Sequence, residues 1–363
     1  MRALTARVDG WIFGAYAAAP ADLALYRILY AAYALLAVVP TALWVDGAPR
    51  AFFNPPPGLA ALATGFPPGG FLAALNLLLV ALLGLLLVGW RTPAVSVATS
   101  VVLLWIKTWE YADGKINHDI LLVLIPLLLA GSGWGQALSA DARRAGPPDP
   151  LRPRASWALA LAAFVTGTAM FGAGALKLMT GWLDPATHST FGHLVVNNMG
   201  AGRGTWLSGH ALAWNAPLAW EAADWAATLL ETGFLLALLR QRWMNTALAL
   251  ACVFHLFVWL LFDIVFSANV LAYGAFVAWA RVLPGLARAA GRVPSRRALV
   301  VALVAAWIVG IAGVMVGVPL EDALGLQLQE ILVVAGAAGG VAYLGRRLLP
   351  RRRTEAMPAV EPA

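Results

Sequence analysis

The sequence has little charge and almost no cysteine. Charged residues make up 12% of the 363 residues, against about 25% in a typical soluble domain. The single cysteine, Cys252, lies in an apolar run, which excludes a disulfide framework and a cysteine metal site. A P-loop, an HExxH motif and a G-x-S-x-G serine elbow are all missing. His188, His193 and His210 lack metal-ligand spacing, so no metal is expected.

Long apolar runs dominate the chain. It is 61% hydrophobic with a mean hydropathy of +0.76, and runs of about 20 apolar residues recur along its length. These features predict an all-α, polytopic transmembrane bundle of nine or ten spans, since a β-barrel would show short alternating segments. The spans are predicted at 21–44, 70–90, 94–111, 119–138, 156–180, 222–239, 244–262, 266–283, 298–318 and 328–345.

The arginines predict the orientation. Most lie at the termini and in the loops on the N-terminal side of the ten spans, whereas the opposite loops hold only Arg50, Lys115 and Arg203. The positive-inside rule then places both termini in the cytoplasm. This sorting accounts for the net charge of +7 without nucleic acid as a partner. The excess of Arg over Lys, with abundant Ala and Leu, is typical of a GC-rich bacterial genome and favours a bacterial plasma membrane.

Five further segments complete the predicted organisation of the chain. Residues 1–20 are predicted to form an interfacial amphipathic helix, because the apolar run WIFGAY is too short for a signal peptide. The Pro-rich loop 45–69 is predicted to be a lid. Residues 181–220 are either a binding segment or a solvated connector. Two further spans at 298–345 follow the main domain, 21–297, and a basic, disordered tail occupies 346–363.

Lys177 is the first candidate for chemistry, because a lysine in a membrane span is costly to insert. Burial lowers the pKa of a lysine amine in general, which makes it a usable base. The alternative is a lysine that reaches the interface from a helix end. Gly172 and Gly174 precede it, and they allow close approach of either another helix or a planar ligand.

Other polar residues also lie in the spans. Lys107 and Glu110, three apart on one helical face, are predicted to form a structural ion pair. Asn117 or Asp119 is a candidate helix cap beside His118. His255 lies mid-span, as either a hydrogen-bonded core histidine or a site residue. Arg27 needs a buried partner, and Glu231 is predicted to supply it in an interhelical ion pair.

Four blocks in this order resemble the horizontally transferred transmembrane (HTTM) domain, the membrane domain shared with vitamin K-dependent γ-glutamyl carboxylase. They are ADLALYRILYAAYALL, INHDILLVL, FGAGALKLMTGWLD and CVFHLFVWLLFDIVFSANVLAYGAFV. The resemblance covers roughly residues 20–283.

The resemblance implies a quinol-dependent carboxylation chemistry of the lyase type. By position, Lys177 would be the base that deprotonates a reduced quinone before O2 attacks, and His118 would be the second catalytic residue. His255 would line the quinol pocket, and Gly174, Asn117 and Trp182, which belong to the matching blocks, would also contribute to binding the quinol cofactor. The carboxylase's large lumenal domain has no counterpart here, so its mode of substrate recognition does not carry over.

Three functions remain open. The first is a quinol-dependent membrane enzyme that modifies a peptide or small substrate at an extracytoplasmic site. The second is a non-catalytic assembly or peptide-maturation subunit that binds a peptide or soluble partner protein. Transport is the third, and it is disfavoured because the sequence has no internal repeat.

Overall fold

The structure is a computed structural model that describes residues 2–114, 118–146 and 149–349. The described chain is almost entirely helical, which confirms the all-α prediction. In chain order the α-helices are α1 (Arg2–Gly14), α2 (Pro20–Tyr33), α3 (Gly69–Val88), α4 (Thr92–Glu110), α5 (Ile120–Leu129), α6 (Ala140–Ala145), α7 (Trp157–Met179), α8 (Ser189–Val195), α9 (Trp206–Leu212), α10 (Pro217–Ala237), α11 (Gln241–Phe262), α12 (Ser267–Tyr273), α13 (Trp279–Val282), α14 (Pro284–Ala290), α15 (Arg296–Val316), α16 (Leu320–Ala323) and α17 (Leu328–Leu348).

Shorter elements connect these helices. The 3₁₀ turns are Leu43–Val45, Arg50–Phe52, Leu59–Leu62, Tyr111–Asp113 and Gly274–Phe276, and the π turns are Ala34–Val38 and Val196–Gly200. The strands β1 (Ala17–Ala18) and β2 (Arg154–Ala155) pair antiparallel.

Within the described part of the chain, six helical segments are long and apolar enough to cross a bilayer. They are Pro20–Val45, Gly69–Val88, Trp157–Met179, Gln241–Phe262, Arg296–Val316 and Leu328–Leu348. The protein is therefore a multi-pass membrane protein. Helices α4 and α10 match the predicted spans 94–111 and 222–239, but they carry more polar side chains and fall outside this set of six.

Two predicted spans are not single helices. The span 119–138 is broken because α5 ends at Leu129, just before the glycine-rich sequence GSGWGQ. The span 266–283 is broken because α12 ends at Tyr273 and gives way to a 3₁₀ turn. Both short helices pack against each other inside the bundle, where their polar backbone ends are shielded from lipid.

A proline inside α5 is compensated by two neighbouring helices. Pro126 has no N–H for the carbonyl of Leu122, and the Tyr30 hydroxyl donates to that carbonyl at 2.7 Å. The Ser100 hydroxyl inserts into the next bond of the helix. It donates to the Val123 carbonyl at 2.7 Å and accepts from the N–H that would otherwise have bonded there. These contacts fix α5 against α2 and α4.

The last two long helices dock onto the rest of the bundle, α15 onto α3 and α17 onto α11. Gly340 explains the close approach of α17, because a Cβ there would lie 2.5 Å from the Ala249 carbonyl oxygen.

Residues Arg346 and Arg347 continue α17, although the sequence placed them in the disordered tail. Residues 350–363 of that predicted tail lie outside the described part of the chain.

Arg27 is fully buried and joins three segments. Its Nη1 donates to the carbonyl of Trp134 at 2.9 Å, and its Nη2 donates to those of Leu138 at 2.7 Å and Leu87 at 3.4 Å. The predicted ion pair between Arg27 and Glu231 is therefore wrong. The physical reason is that several backbone carbonyls satisfy a guanidinium as well as a carboxylate does, because its donors point in several directions.

The N-terminal segment closes onto the middle of the chain. The Trp11 indole and the Tyr16 hydroxyl both donate to the Leu238 carbonyl at 2.9 Å. The Gln241 side chain bonds both backbone groups of Ala17, which also pairs with β2. Helix α1 thus occupies most of the predicted N-terminal helix 1–20 and covers the turn between α10 and α11.

Candidate functional site

Lys177 and Glu231 form the centre of the candidate site. Lys177 lies in the last turn of α7, and its Nζ donates to both carboxylate oxygens of Glu231 on α10. The side chains are 17% and 6% exposed, respectively. The pair is therefore a largely buried ion pair that joins α7 to α10.

Gly174 allows α7 and α10 to approach at this point. A Cβ on Gly174 would lie 2.7 Å from the backbone nitrogen of Thr232 and 2.9 Å from the Cβ of Glu231. Helix α10 therefore fills the space beside Gly174, and its predicted role as a ligand slot is wrong. Gly174 instead has the alternative role, helix packing. A Cβ on Gly172 would meet no atom within 4 Å, so Gly172 makes no such contact.

Trp182 covers the other side of the amine. The Lys177 Nζ lies 5.2 Å from the centroid of the Trp182 ring, within the range of a cation–π contact. The imidazole of His193 stacks with the Trp182 ring, with ring centroids 4.8 Å apart. Trp182, which the sequence grouped with Lys177, is thus in direct contact with it.

Asp224 holds the segment that carries His193. It is fully buried, and its Oδ1 accepts from both the N–H and the hydroxyl of Thr190 at 2.7 and 2.6 Å. Asp224 and Glu231 are seven residues apart, so they lie on the same face of α10. Sequence reasoning missed Asp224, although this spacing of two acidic residues in an apolar helix was a usable signal.

His255 belongs to a second polar group. It is 2% exposed, and its Nε2 lies 3.0 Å from the Tyr273 hydroxyl. That hydroxyl in turn contacts the Met170 sulfur on α7 at 3.4 Å. Sequence reasoning missed Tyr273, because the hydrogen bond joins α11 to the separate helix α12.

Phe266 lies between the two candidate histidines. Its ring stacks on His255, with centroids 4.7 Å apart, and contacts His118, with centroids 4.3 Å apart. His255 is also within electrostatic range of both Lys177 and His118. The structure therefore brings Lys177, His118, His255, Glu231 and Trp182 to one end of the bundle, hereafter the Lys177 end.

A third polar group contains the predicted pair of Lys107 and Glu110. This pair is confirmed, with 2.8 Å between Nζ and Oε2. Lys107 also binds Asp119 at 2.7 Å, and the Tyr111 hydroxyl donates to Asp119 at 2.6 Å. Asp119 makes no capping hydrogen bond to α5, so it serves this ion-pair group instead. Asn117 lies outside the described residues.

Two cavities occur away from these groups. They have volumes of about 180 and 340 Å³ and share the glycine-rich residues Gly131 and Gly133. The first is also lined by Arg154 and the second by Asp141, and neither is lined by Lys177 or His255. Among the described residues, no three His, Cys, Asp or Glu side chains are grouped in a way that could hold a metal ion.

Comparison with known proteins gives no relationship from which a function could be transferred. The sequence matches no protein-family model and no curated protein, and the structure matches no solved structure.

Proposed function

We propose that this membrane protein is a quinol-dependent enzyme in which Lys177 takes a proton from the hydroxyl group of a reduced quinone. The observation that carries the proposal is the contact of the Lys177 Nζ with both carboxylate oxygens of Glu231. In a site of low dielectric constant, separated charges are expensive. The pair therefore has access to a neutral form, in which Glu231 holds the proton and the amine is free to accept another.

The charge of the pair of Lys177 and Glu231 suits the removal of a proton from the quinol hydroxyl group. When the neutral amine accepts the hydroxyl proton, Lys177 becomes a cation while Glu231 stays protonated. The cation then lies beside the oxygen anion that it has produced and stabilises it. Trp182 limits the access of water to the amine, since its ring lies 5.2 Å from the Nζ.

Two buried nitrogens fit a hydroxyl-bearing ring. The Nδ1 of His255 and the Nε1 of Trp182 have no hydrogen-bond partner among the described residues, and leaving such groups unpaired costs about 1–3 kcal/mol each. A reduced quinone would supply hydroxyl groups to them, an acidic proton and two electrons for O2. Phe266 must swing away from His255 to admit a flat ring, because it already stacks there.

The resemblance to the HTTM domain adds a side of the membrane and a type of reaction to this proposal. With the arginine-rich loops in the cytoplasm of a bacterium, the Lys177 end faces the extracytoplasmic side of the plasma membrane. The strong base formed when O2 attacks the quinol anion would take a proton from a peptide or small substrate there, and the resulting carbanion would add CO2. His118 would be a second catalytic residue in this lyase-type reaction, which is similar to that of the γ-glutamyl carboxylase.

The test is Lys177→Arg in purified protein reconstituted in lipid nanodiscs with reduced menaquinone. Arginine keeps a cation beside Glu231, but it does not lose its proton. We expect O2-dependent quinol oxidation to fall about 10²–10⁴-fold, the usual contribution of a general base, while the thermal unfolding midpoint stays near that of the wild type. Exposed Arg91→Lys is the control. Full activity in Lys177→Arg would refute the proposal.

A non-catalytic subunit for assembly or peptide maturation is the second candidate. It is favoured by one observation, that the Lys177 amine is already bonded to Glu231 and neither cavity adjoins it. In that case Lys177 and Glu231 only join α7 to α10. Lys177→Arg would then keep the biological function, whereas substitutions in residues 181–220 would abolish binding of the partner.

A further inference from the structure

Residues 189–216, hereafter the α8–α9 segment, have an unusual composition for a connection between two membrane-associated helices. They contain no Asp, Glu or Lys, and Arg203 is their only arginine. Two of their 28 residues are tryptophan. A loop of this length in water normally carries several charges, since about a quarter of the residues of soluble domains are charged.

The segment lies beside the last turns of the long helices. The Thr205 hydroxyl donates to the carbonyl of Leu260 in α11. Leu194 and Ala211 are buried in a cluster with Trp220 of α10, and Phe262 packs against it. Helix α11 is among the six described helices that are long and apolar enough to span a bilayer. With α11 across a bilayer, its last turns, and the segment beside them, would lie at the depth where hydrocarbon meets headgroups.

The other side of the segment is apolar and exposed. Met199 is 77% exposed, Trp206 is 72% exposed and Trp214 is 59% exposed. Two further apolar side chains that flank the α8–α9 segment in the chain, Met179 at the end of α7 and Leu218 at the start of α10, are 84% and 87% exposed. Tryptophan is enriched at membrane–water interfaces because its ring is apolar and its N–H is polar.

We infer that the α8–α9 segment is seated in the bilayer leaflet at the Lys177 end, with Met199, Trp206 and Trp214 in contact with lipid. The evidence is the absence of carboxylates, the contact with the last turns of α11, and the exposure of large apolar side chains in the segment and at the neighbouring ends of α7 and α10. The partner of this surface is lipid, and the segment is an interfacial element of the fold. The inference is independent of the proposed chemistry at Lys177.

The test uses single spin labels in vesicles of phosphatidylcholine and phosphatidylglycerol. Cys252 is buried and is replaced by Ala, and one cysteine is then introduced in Met199→Cys or Trp206→Cys. Leu229→Cys, 60% exposed on α10, is the lipid-facing control. Ala186→Cys, exposed in a polar turn beside Asp184, is the water-facing control. Gel filtration and unlabelled thermal unfolding check that each variant is folded.

We expect the labels at 199 and 206 to behave like the lipid-facing label at 229. They should be accessible to O2, and their accessibility to a water-soluble nickel chelate should be several-fold lower than that of the label at 186. Chelate accessibility equal to that at 186 would overturn the inference, because the surface would then face water. Protection from both reagents would overturn it as well, because the surface would then be covered by protein.

Discussion

Arg27 and Lys177 are both buried cations, but they are stabilised differently. Arg27 is bound by three backbone carbonyls, whereas Lys177 is bound by the carboxylate of Glu231. A carbonyl oxygen cannot take up a proton at ordinary pH, and a carboxylate can. Arg27 therefore has a structural role, while the pair of Lys177 and Glu231 is the one that the proposed chemistry uses.

Replacement of Arg27 by lysine tests its structural role. An ammonium group has its three donors on one nitrogen, so it cannot reach the carbonyls of Leu87, Trp134 and Leu138 together. Each hydrogen bond to a charged group that is lost costs about 1.5–3 kcal/mol. We expect a clearly lower thermal unfolding midpoint in detergent for Arg27→Lys. Exposed Arg91→Lys should change the midpoint little, and equal midpoints for both variants would contradict this role.

From the sequence, an ion pair was predicted correctly only where its two residues are close together in the chain. Lys107 and Glu110 are three residues apart, so helical geometry alone places them together. Glu231 and Lys177 are 54 residues apart, and no local rule selects one partner over another. The assignment of Glu231 to Arg27 was wrong because the true acceptors are backbone carbonyls. Every residue has a backbone carbonyl, so the sequence does not indicate which of them bind Arg27.

At the scale of helices, the contact between α7 and α10 depends on one glycine. Gly174 meets the backbone of Thr232, and Gly172, two residues earlier, meets nothing within 4 Å. The two glycines lie in the same helix and so have the same intrinsic cost relative to alanine. They form a matched pair for separating helix packing from helix propensity.

Gly174→Ala should push α7 away from α10 and weaken the bond between Lys177 and Glu231. We expect a lower unfolding midpoint and, if the proposed chemistry holds, slower quinol oxidation. Gly172→Ala should be neutral or stabilising by about 0.5–1 kcal/mol, the helix preference of alanine over glycine. Thermal unfolding and quinol oxidation of both variants check this, and equal behaviour of the two would rule out the packing role of Gly174.

Helix interruptions were only partly visible in the sequence. Pro126 and the glycines after α5 are recognisable breakers, yet the apolar run continues through them and favoured one long span. Helix α5 continues past Pro126 because Tyr30 satisfies the Leu122 carbonyl that the proline leaves free and Ser100 bridges the next backbone pair, and the helix ends at Leu129 before the glycines. That compensation comes from two other helices, so a reading of residues 119–138 alone could not have found it.

At the scale of the whole molecule, a buried carboxyl group connects the last two long helices to the bundle. Glu321, in α16 between α15 and α17, is 2% exposed. Its Oε1 accepts from Gln329, whose Oε1 accepts from Ser267 of α12 at 3.1 Å. Its Oε2 has no partner among the described residues. Burial, followed by the nearby charges of Asp322 and Glu330, raises the pKa of Glu321 above its ordinary value of 4.5.

The raised pKa makes stability depend on pH. The folded protein binds a proton at Glu321 more tightly than the unfolded chain, so this stabilisation is complete below pH 4.5. It is lost as the pH rises through the folded-state pKa. We expect Glu321→Gln to raise the unfolding midpoint at neutral pH and to match the wild type at low pH. A scan of the midpoint against pH checks this, with Asp9→Asn, at an exposed position on α1, as the control. A pH-independent difference would contradict the assignment.

The contacts of the N-terminal segment have a consequence for biosynthesis. The Tyr16 hydroxyl binds a carbonyl that lies 222 residues further along the chain, at Leu238. At a translation rate of about 5–20 residues per second, the ribosome needs roughly 10–45 s to make that partner. During this interval the N-terminal segment can meet β2 and α7, which are made earlier, but not the Leu238 carbonyl that anchors Trp11 and Tyr16. Its position is complete only when the turn after α10 has been made, so the first residues synthesised are among the last to acquire all of their contacts.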